Sequence, residues 1–232
     1  MSSSVTKLLK DYYESALQTK GVNFAGLAWP SAESTLQRYQ VMSDLFRSRE
    51  AQNTQISLLD IGCGPGFYLD YLQAQPDLAV DYHGIDISEH MIEVAQGRHP
   101  DAGFEVKDIL SAPSEPEKFD YAVANGVLTV KSDASFDDMK IFVESFLKRS
   151  FGLVKKGLAV NFMSEHVEWK RDDLFHYPFD MAAAFITKEL TRHTVVRADY
   201  GLYEYTMYLF RSPADALTVG AEDPLVNVLK GE

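Results

Sequence analysis

The chain has 232 residues, with 22 Lys and Arg against 34 Asp and Glu, so its formal net charge is −12. A nucleic-acid backbone attracts a basic surface, so this charge argues against nucleic acid as a partner. The single cysteine excludes an intramolecular disulfide framework and a cysteine-ligated zinc or iron–sulfur site built by this chain alone. The amino terminus lacks the apolar core of a signal peptide, and no run of about 18 apolar residues occurs. The sequence therefore predicts a cytoplasmic, acidic globular protein with no membrane contact.

Two amphipathic helices are predicted ahead of the main fold. Apolar residues between Val5 and Ala16 recur at offsets of three and four, which is the period of a helix with one buried face. Trp29-Pro30-Ser31 is typical of a turn into a second helix, with Ser31 as its N-cap and Glu33 in its first turn. We expect residues 1–50 to form a helical cap.

From Ile56 onward, short apolar runs alternate with helical patterns. The predicted strands are Ile56–Ile61, Asp81–Ile85, Gly103–Val106, Phe119–Ala124 and Leu158–Met163, and the predicted helices between them are Phe67–Gln75, Glu89–Gly97 and Asp137–Lys148. This alternation predicts βαβ units and a mostly parallel sheet. Two further β-rich segments, Arg192–Arg197 and Leu202–Phe210, are close enough in sequence to form an antiparallel hairpin. The core is predicted to span residues 51–211, followed by a tail at 212–232.

A glycine loop after the first predicted strand is the strongest local signal. Leu59-Asp60-Ile61 runs into Gly62, Gly64 and Gly66, and a helical pattern follows. Such glycines let a ligand lie against bare backbone. A dinucleotide fingerprint would place a third glycine where Phe67 stands, and a P-loop would require a lysine that this loop lacks. The loop therefore favours a ligand without phosphates at this point.

Polar residues follow the next three strands. Asp86 ends the second strand, Asp108 follows the third, and Asn125 follows the fourth. Ligands bind at the carboxyl ends of strands in open α/β sheets, where an acid accepts hydrogen bonds from ribose hydroxyls. One such acid is commonly a helix cap, but several in register indicate a nucleoside site.

On these motifs the sequence resembles a class I S-adenosylmethionine-dependent methyltransferase, over roughly residues 30–211. The resemblance implies a Rossmann-like, doubly wound, seven-stranded α/β sheet that is mostly parallel and has a reversed last strand. It implies S-adenosyl-L-methionine as the cofactor, S-adenosyl-L-homocysteine as the product, and in-line methyl transfer to an O, N or C nucleophile. The cofactor-binding residues that it implies are Asp60, Gly62, Cys63, Gly64, Gly66, Asp86, Ile87, Met91, Asp108, Ile109, Asn125 and Val127.

The predicted cap contributes further candidates. Helices ahead of the first strand often close over the cofactor in related small-molecule methyltransferases. Arg38 is a candidate partner for the carboxylate of the cofactor, because a guanidinium fork suits that geometry. Tyr12, Tyr13 and Trp29 are candidate aromatic walls against a cationic sulfonium, although the apolar face of the first helix also explains the two tyrosines by core packing.

His166 and Tyr203 are the candidate catalytic residues. His166 follows the fifth strand, where an acid–base role is open to it, and Tyr203 begins a segment that also includes Tyr205. His176 is a further candidate for the acceptor pocket. The histidines show no metal-ligand spacing, so no metal is predicted.

The leading hypothesis is therefore an enzyme that methylates a small metabolite. The alternatives are a related enzyme that uses another nucleoside cofactor, and a non-catalytic subunit that binds S-adenosylmethionine. The complete set of glycines and acids argues against the non-catalytic subunit. The predicted partners are a small-molecule acceptor and a second copy of the chain in a homodimer, with no nucleic acid and no membrane.

Overall fold

The computed structural model describes residues 2–47, 54–112 and 118–216. In chain order the elements are α1 (Ser2–Lys20), α2 (Ala32–Arg47), β1 (Gln55–Ile61), α3 (Phe67–Gln73), β2 (Ala79–Asp86), α4 (Glu89–Arg98), β3 (Gly103–Val106), β4 (Phe119–Ala124), α5 (Phe136–Phe151), β5 (Val154–Met163), α6 (Phe179–Glu189), β6 (Thr194–Arg197), β7 (Glu204–Phe210) and α7 (Pro213–Ala216). The predicted boundary between residues 50 and 51 lies outside the described residues, as does most of the predicted tail, residues 217–232.

The strands within these ranges form one seven-stranded sheet in the order β3-β2-β1-β4-β5-β7-β6. The first five strands pair in parallel, and β7 runs antiparallel to both β5 and β6. The predicted doubly wound sheet with a C-terminal antiparallel hairpin is therefore confirmed. The central strands β1, β4 and β5 are largely buried because helices cover both faces of the sheet, whereas three of the four residues of the edge strand β3 are exposed.

The helices divide between the two faces. On one face, α1, α5 and α6 contribute to a core that includes Leu9, Phe142 and Ile186. On the other face, α2, α3 and α4 contribute to a core that includes Leu45, Leu72 and Ile92. The two N-terminal helices thus pack on opposite faces, and none of the described helices is long and apolar enough to cross a membrane.

The sequence analysis predicted neither α6 nor the four-residue α7. In α6, Ala182 and Ile186 are buried, and the partly buried Phe179, Met181 and Phe185 pack on the same core. Ser31 was correctly predicted as the cap of α2, because its hydroxyl accepts a hydrogen bond from the Ser34 backbone N–H at 3.2 Å.

Candidate active site

A cavity of about 1050 Å³, part of it open to solvent, lies beyond the carboxyl ends of β1, β2 and β4. The strand order reverses between β1 and β4, so the chain departs from these two strands in opposite directions. In doubly wound sheets this divergence leaves a crevice in which ligands bind. Residues of α1 and of the connection to α2 form the opposite wall of the cavity.

The glycine loop forms the wall at the end of β1. The backbone N–H groups of Gly62 and Cys63 donate to the Ile85 carbonyl at 2.8 and 3.1 Å, which fixes the loop against β2. Gly62 has a φ of +76°, and a Cβ there would lie 2.5 Å from the Cγ2 atom of Val127. Only glycine fits both the backbone and the space at this position.

Gly66, which was predicted to lie beneath the cofactor, differs in position from the other two glycines of the loop. Gly62, Cys63 and Gly64 line the cavity, whereas Gly66 does not. Gly66 precedes the first turn of α3, where a Cβ would lie 3.1 Å from the His99 ring. The third glycine therefore serves the packing of α3 against its neighbours.

Asp86 connects the glycine loop to the start of α4. Its carboxylate accepts the Gly64 N–H at 3.0 Å and the Ser88 N–H at 2.9 Å. Ser88 in turn caps α4 and donates its hydroxyl to Glu14 of α1 at 2.6 Å. Burial raises the pKa of Asp86, while the two N–H donors oppose that rise. The acid predicted at the end of β2 thus lies on the cavity wall and holds two loops together.

Asp60, the last residue but one of β1, is a buried carboxyl at the floor of the cavity. The Tyr82 hydroxyl donates to it at 2.7 Å. Burial is the largest influence and raises the pKa of Asp60 from an ordinary value of 3.8 to about 7, against the lowering effect of the Tyr82 hydrogen bond. The carboxyl is therefore partly protonated near neutral pH.

We expect Asp60→Asn to change the pH dependence of stability. A carboxyl whose folded pKa is raised weakens the fold progressively as pH rises from about 4 to about 7, with a total near 4 kcal/mol. The free energy of unfolding of Asp60→Asn relative to the unaltered chain should therefore increase over this range. Urea titrations at several pH values measure it, and a difference that does not vary with pH would contradict the raised pKa.

A third part of the cavity is apolar with one acid. Ile87, Met91 and Ile109 line it together with Asp108, as the sequence predicts. The Asp108 carboxylate accepts the Leu110 N–H at 2.9 Å and the Ser111 hydroxyl at 2.8 Å, which fixes its orientation.

Asn125 and Val127 complete the wall at the end of β4. Both side-chain polar atoms of Asn125 are buried, and neither has a hydrogen-bond partner in the described part of the chain. Buried amide groups are almost always hydrogen-bonded in folded proteins. The side chain of Asn125 therefore offers a free donor and a free acceptor at the cavity.

Several cavity residues were not singled out from the sequence. They are Thr6, Leu9 and Lys10 of α1, together with Leu27, Tyr39, Tyr68, Lys107, Leu110, Phe142 and Phe146. Their helical spacing identified core faces but gave no sign of which residues border a cavity. Tyr13 and Trp29, which were predicted as aromatic walls, do line it, and Tyr13 donates to the Gly126 carbonyl at 2.9 Å. Tyr12 instead approaches Asp173 at 3.4 Å.

Besides Gly66, three predicted site residues lie outside the cavity wall. Arg38 is buried in an ion pair with Glu204, so its guanidinium is not available to a cofactor carboxylate. The His166 side chain is 82% exposed, and Tyr203 is half exposed and packs edge-on against Trp169. The sequence analysis placed His166 at the active edge of the sheet and Tyr203 near the acceptor pocket, but β5 and β7 lie one and two strands beyond the reversal point. The cavity therefore brings neither candidate catalytic residue to its wall.

The family of the chain follows from comparison with known proteins. Residues 52–168, half of the chain, match the family model described as a methyltransferase domain. The chain belongs to this family. It is a class I S-adenosyl-L-methionine-dependent methyltransferase, and a protein of Mycobacterium tuberculosis that is provisionally named a methyltransferase is 30% identical over 155 residues, which are 65% of this chain and 90% of that protein.

Two solved methyltransferases share the fold. The magnesium protoporphyrin IX methyltransferase ChlM of Synechocystis, with S-adenosylmethionine bound, has a TM-score of 0.58 at 15% identity and matches over 89% of this chain and 97% of its own. The plantazolicin methyltransferase BpumL, with S-adenosylhomocysteine bound, has a TM-score of 0.56 at 15% identity, over 90% and 96% of the two chains. The cofactor of this methyltransferase is S-adenosyl-L-methionine.

Proposed function

We propose that this methyltransferase transfers the methyl group of S-adenosyl-L-methionine to a small-molecule acceptor within the cavity. The observation that carries the proposal is the cover that α1 provides. Tyr13 of α1 donates to the Gly126 carbonyl, and Glu14 accepts from Ser88, so α1 is bonded to two loops of the cavity wall. Because α1 covers part of the cavity in this way, the cavity suits an acceptor small enough to enter beside this helix.

The cavity residues suit the cofactor. Asp86 would accept the ribose hydroxyls, and Ile87 and Met91 would pack against the adenine, with Asp108 accepting from its amino group. Gly62, Cys63 and Gly64 would lie beside the methionine portion, near Asp60. The unpaired amide of Asn125 supports a polar ligand at the end of β4, with Val127 beside it.

When bound, the cofactor supplies an electrophilic methyl group on a positively charged sulfur. The residues of the chain bind, align and shield the reactants. Trp29, Tyr39 and Tyr68 present aromatic rings to the cavity, and such rings attract a cation. Burial raises the pKa of Tyr13 far above neutrality, so its hydroxyl remains protonated and acts as a donor to Gly126 rather than as a base.

The net charge and the name of one structural neighbour also support a small acceptor. A charge of −12 disfavours an anionic polymer. The name of ChlM specifies magnesium protoporphyrin IX, a small molecule, as its substrate. The homodimer, the cytoplasmic location and the three-part domain division stay predictions of the sequence.

A labelling experiment tests the class of acceptor. The purified chain is incubated with S-adenosylmethionine tritiated on its methyl group and, separately, with a metabolite extract, total RNA or total protein. We expect tritium to enter the metabolite fraction. His166→Ala should retain this activity to within about twofold, because an exposed side chain remote from the cavity contributes little. Tritium in RNA or protein, and none in metabolites, would contradict the small-molecule acceptor.

A further inference from the structure

A chain of buried polar groups runs from α2 across the hairpin to the cavity. The Arg38 Nε atom donates to Glu204 Oε1 at 2.9 Å, and Asn161 Nδ2 donates to Glu204 Oε2 at 2.7 Å. Asn161 Oδ1 accepts the Gly126 backbone N–H at 2.7 Å. The side chains of Arg38 and Glu204 are 8% and 4% exposed, and Asn161 is 1% exposed. We call this hydrogen-bonded series, from Arg38 through Glu204 and Asn161 to the Gly126 N–H, the Glu204 relay.

The donor and acceptor roles in the Glu204 relay can be assigned in order, starting at the cavity. The Gly126 N–H requires an acceptor, so the amide oxygen of Asn161 faces it and the amide NH2 faces Glu204. Glu204 must then accept from Asn161 on one side and from the guanidinium of Arg38 on the other. A carboxylate accepts through both oxygens, whereas a glutamine would direct its NH2 against one of these donors.

The next peptide unit, between Gly126 and Val127, is held as well. The Gly126 carbonyl accepts the Tyr13 hydroxyl at 2.9 Å and the Thr129 hydroxyl at 2.8 Å. The Trp29 ring lies 3.4 Å from the position of a Cβ on Gly126, and the Arg38 guanidinium lies 5.2 Å from the center of that ring. The residue just before Gly126 is Asn125, whose buried amide has no partner in the described residues.

Stability alone does not account for such an arrangement. Burying an ion pair costs desolvation, and replacing it by apolar residues of similar volume is often neutral or stabilising. The Glu204 relay instead connects the carboxylate at the start of β7 to a peptide of the cavity wall after β4, two strands away.

We propose that Glu204, with Arg38 as its counter-ion, is a positioning residue of this methyltransferase. Through Asn161 it fixes the Asn125–Gly126 peptide, and so presents the amide of Asn125 to the cofactor in the cavity. The inference rests on the proposed role of Asn125 and assigns Arg38 a role different from the carboxylate contact that the sequence suggested.

The test uses the only Asn-Gly pair in the sequence. Protein labelled with carbonyl-¹³C asparagine and ¹⁵N glycine gives a single signal in an amide–carbonyl correlation spectrum, and that signal is the Gly126 N–H. In Glu204→Gln we expect this signal to shift and its amide exchange to accelerate about tenfold or more, because the hydrogen bond to Asn161 is weakened. Binding of S-adenosylhomocysteine, measured by calorimetry, should weaken about fivefold or more.

Asp44→Asn is the matched control. Asp44 also joins α2 to the hairpin, because its carboxylate lies 3.2 Å from the Arg197 guanidinium of β6. The Gly126 N–H bonds instead to Asn161 of the Glu204 relay. In this variant both quantities should stay within about twofold of their original values.

Three outcomes would overturn the proposal. The first is a Gly126 signal and exchange rate unchanged in folded Glu204→Gln. The second is an equal acceleration of all slowly exchanging glycine amides, which indicates general destabilisation. The third is a released Gly126 amide with unchanged S-adenosylhomocysteine binding, which indicates a structural role alone. Failure of the unaltered chain to bind S-adenosylhomocysteine would instead contradict the proposed function, whatever the Gly126 signal shows.

Discussion

Asp86→Ala should weaken the binding of S-adenosylhomocysteine by about 100-fold, or about 2.7 kcal/mol. The change removes the carboxylate at the end of β2 that we propose as the acceptor for the ribose hydroxyls. It also releases the Gly64 and Ser88 N–H groups, which the carboxylate now holds at 3.0 and 2.9 Å. Calorimetric titration of the purified variant with S-adenosylhomocysteine measures the loss.

Asp120→Ala is the matched control for this prediction. Asp120 also accepts a backbone N–H and a hydroxyl, both from Ser57, at 2.9 and 3.0 Å. It lies at the start of β4, at the opposite end of the strand from the cavity. Its variant should bind S-adenosylhomocysteine as the unaltered chain does. Equal losses in both variants would show that Asp86 acts through general stability and not as a ligand.

Gly62→Ala should lower the free energy of unfolding by about 2–5 kcal/mol. The residue would keep a φ of +76°, which costs a non-glycine residue about 1–2 kcal/mol. Its Cβ would also lie 2.5 Å from Val127 Cγ2, and relieving such overpacking costs about 1–3 kcal/mol more. Urea denaturation measures the change.

Gly201→Ala separates the two contributions. Gly201 has a similar φ of +70°, but a Cβ there would meet no atom within 4 Å. Gly201→Ala should therefore be destabilised only by the cost of the positive φ. Combining Gly62→Ala with Val127→Ala should restore part of the stability that Gly62→Ala loses through overpacking. If Gly62→Ala destabilises the chain no more than Gly201→Ala, the close approach of Val127 is not a constraint.

Most strand ends were predicted to within two residues, but β5 begins at Val154, four residues before its predicted start, because Lys155 and Lys156 interrupt its apolar run. The predicted bounds of β3 and β4 coincide with the observed ones. The strand-end rule also placed Asp60, Asp86, Asp108 and Asn125 on one cavity, since the carboxyl ends of parallel strands meet at one edge.

The placement of α1 and α2 could not be predicted in the same way. An amphipathic pattern identifies an apolar face but not the surface that it covers. The sequence therefore gave no sign that these helices take opposite faces of the sheet or that Lys10 borders the cavity.

Arg38 shows why the remaining errors arose. Its partner, Glu204, is 166 positions away, so no local pattern could reveal the ion pair. His166 follows β5 and Tyr203 precedes β7, as the sequence predicts, but their distance from the ends of β1 and β4 depends on the order of the strands in the sheet. Contacts between distant segments decide these positions, and one sequence does not contain them.

A crystal structure of the chain with S-adenosylhomocysteine tests the central claim most directly. We predict the nucleoside in the cavity, with its ribose hydroxyls within hydrogen-bond distance of Asp86 and its adenine beside Ile87 and Met91. The amide of Asn125 should contact the ligand while Arg38 remains paired with Glu204. A ligand bound outside this cavity, or inside it without contact to Asp86, would contradict the account.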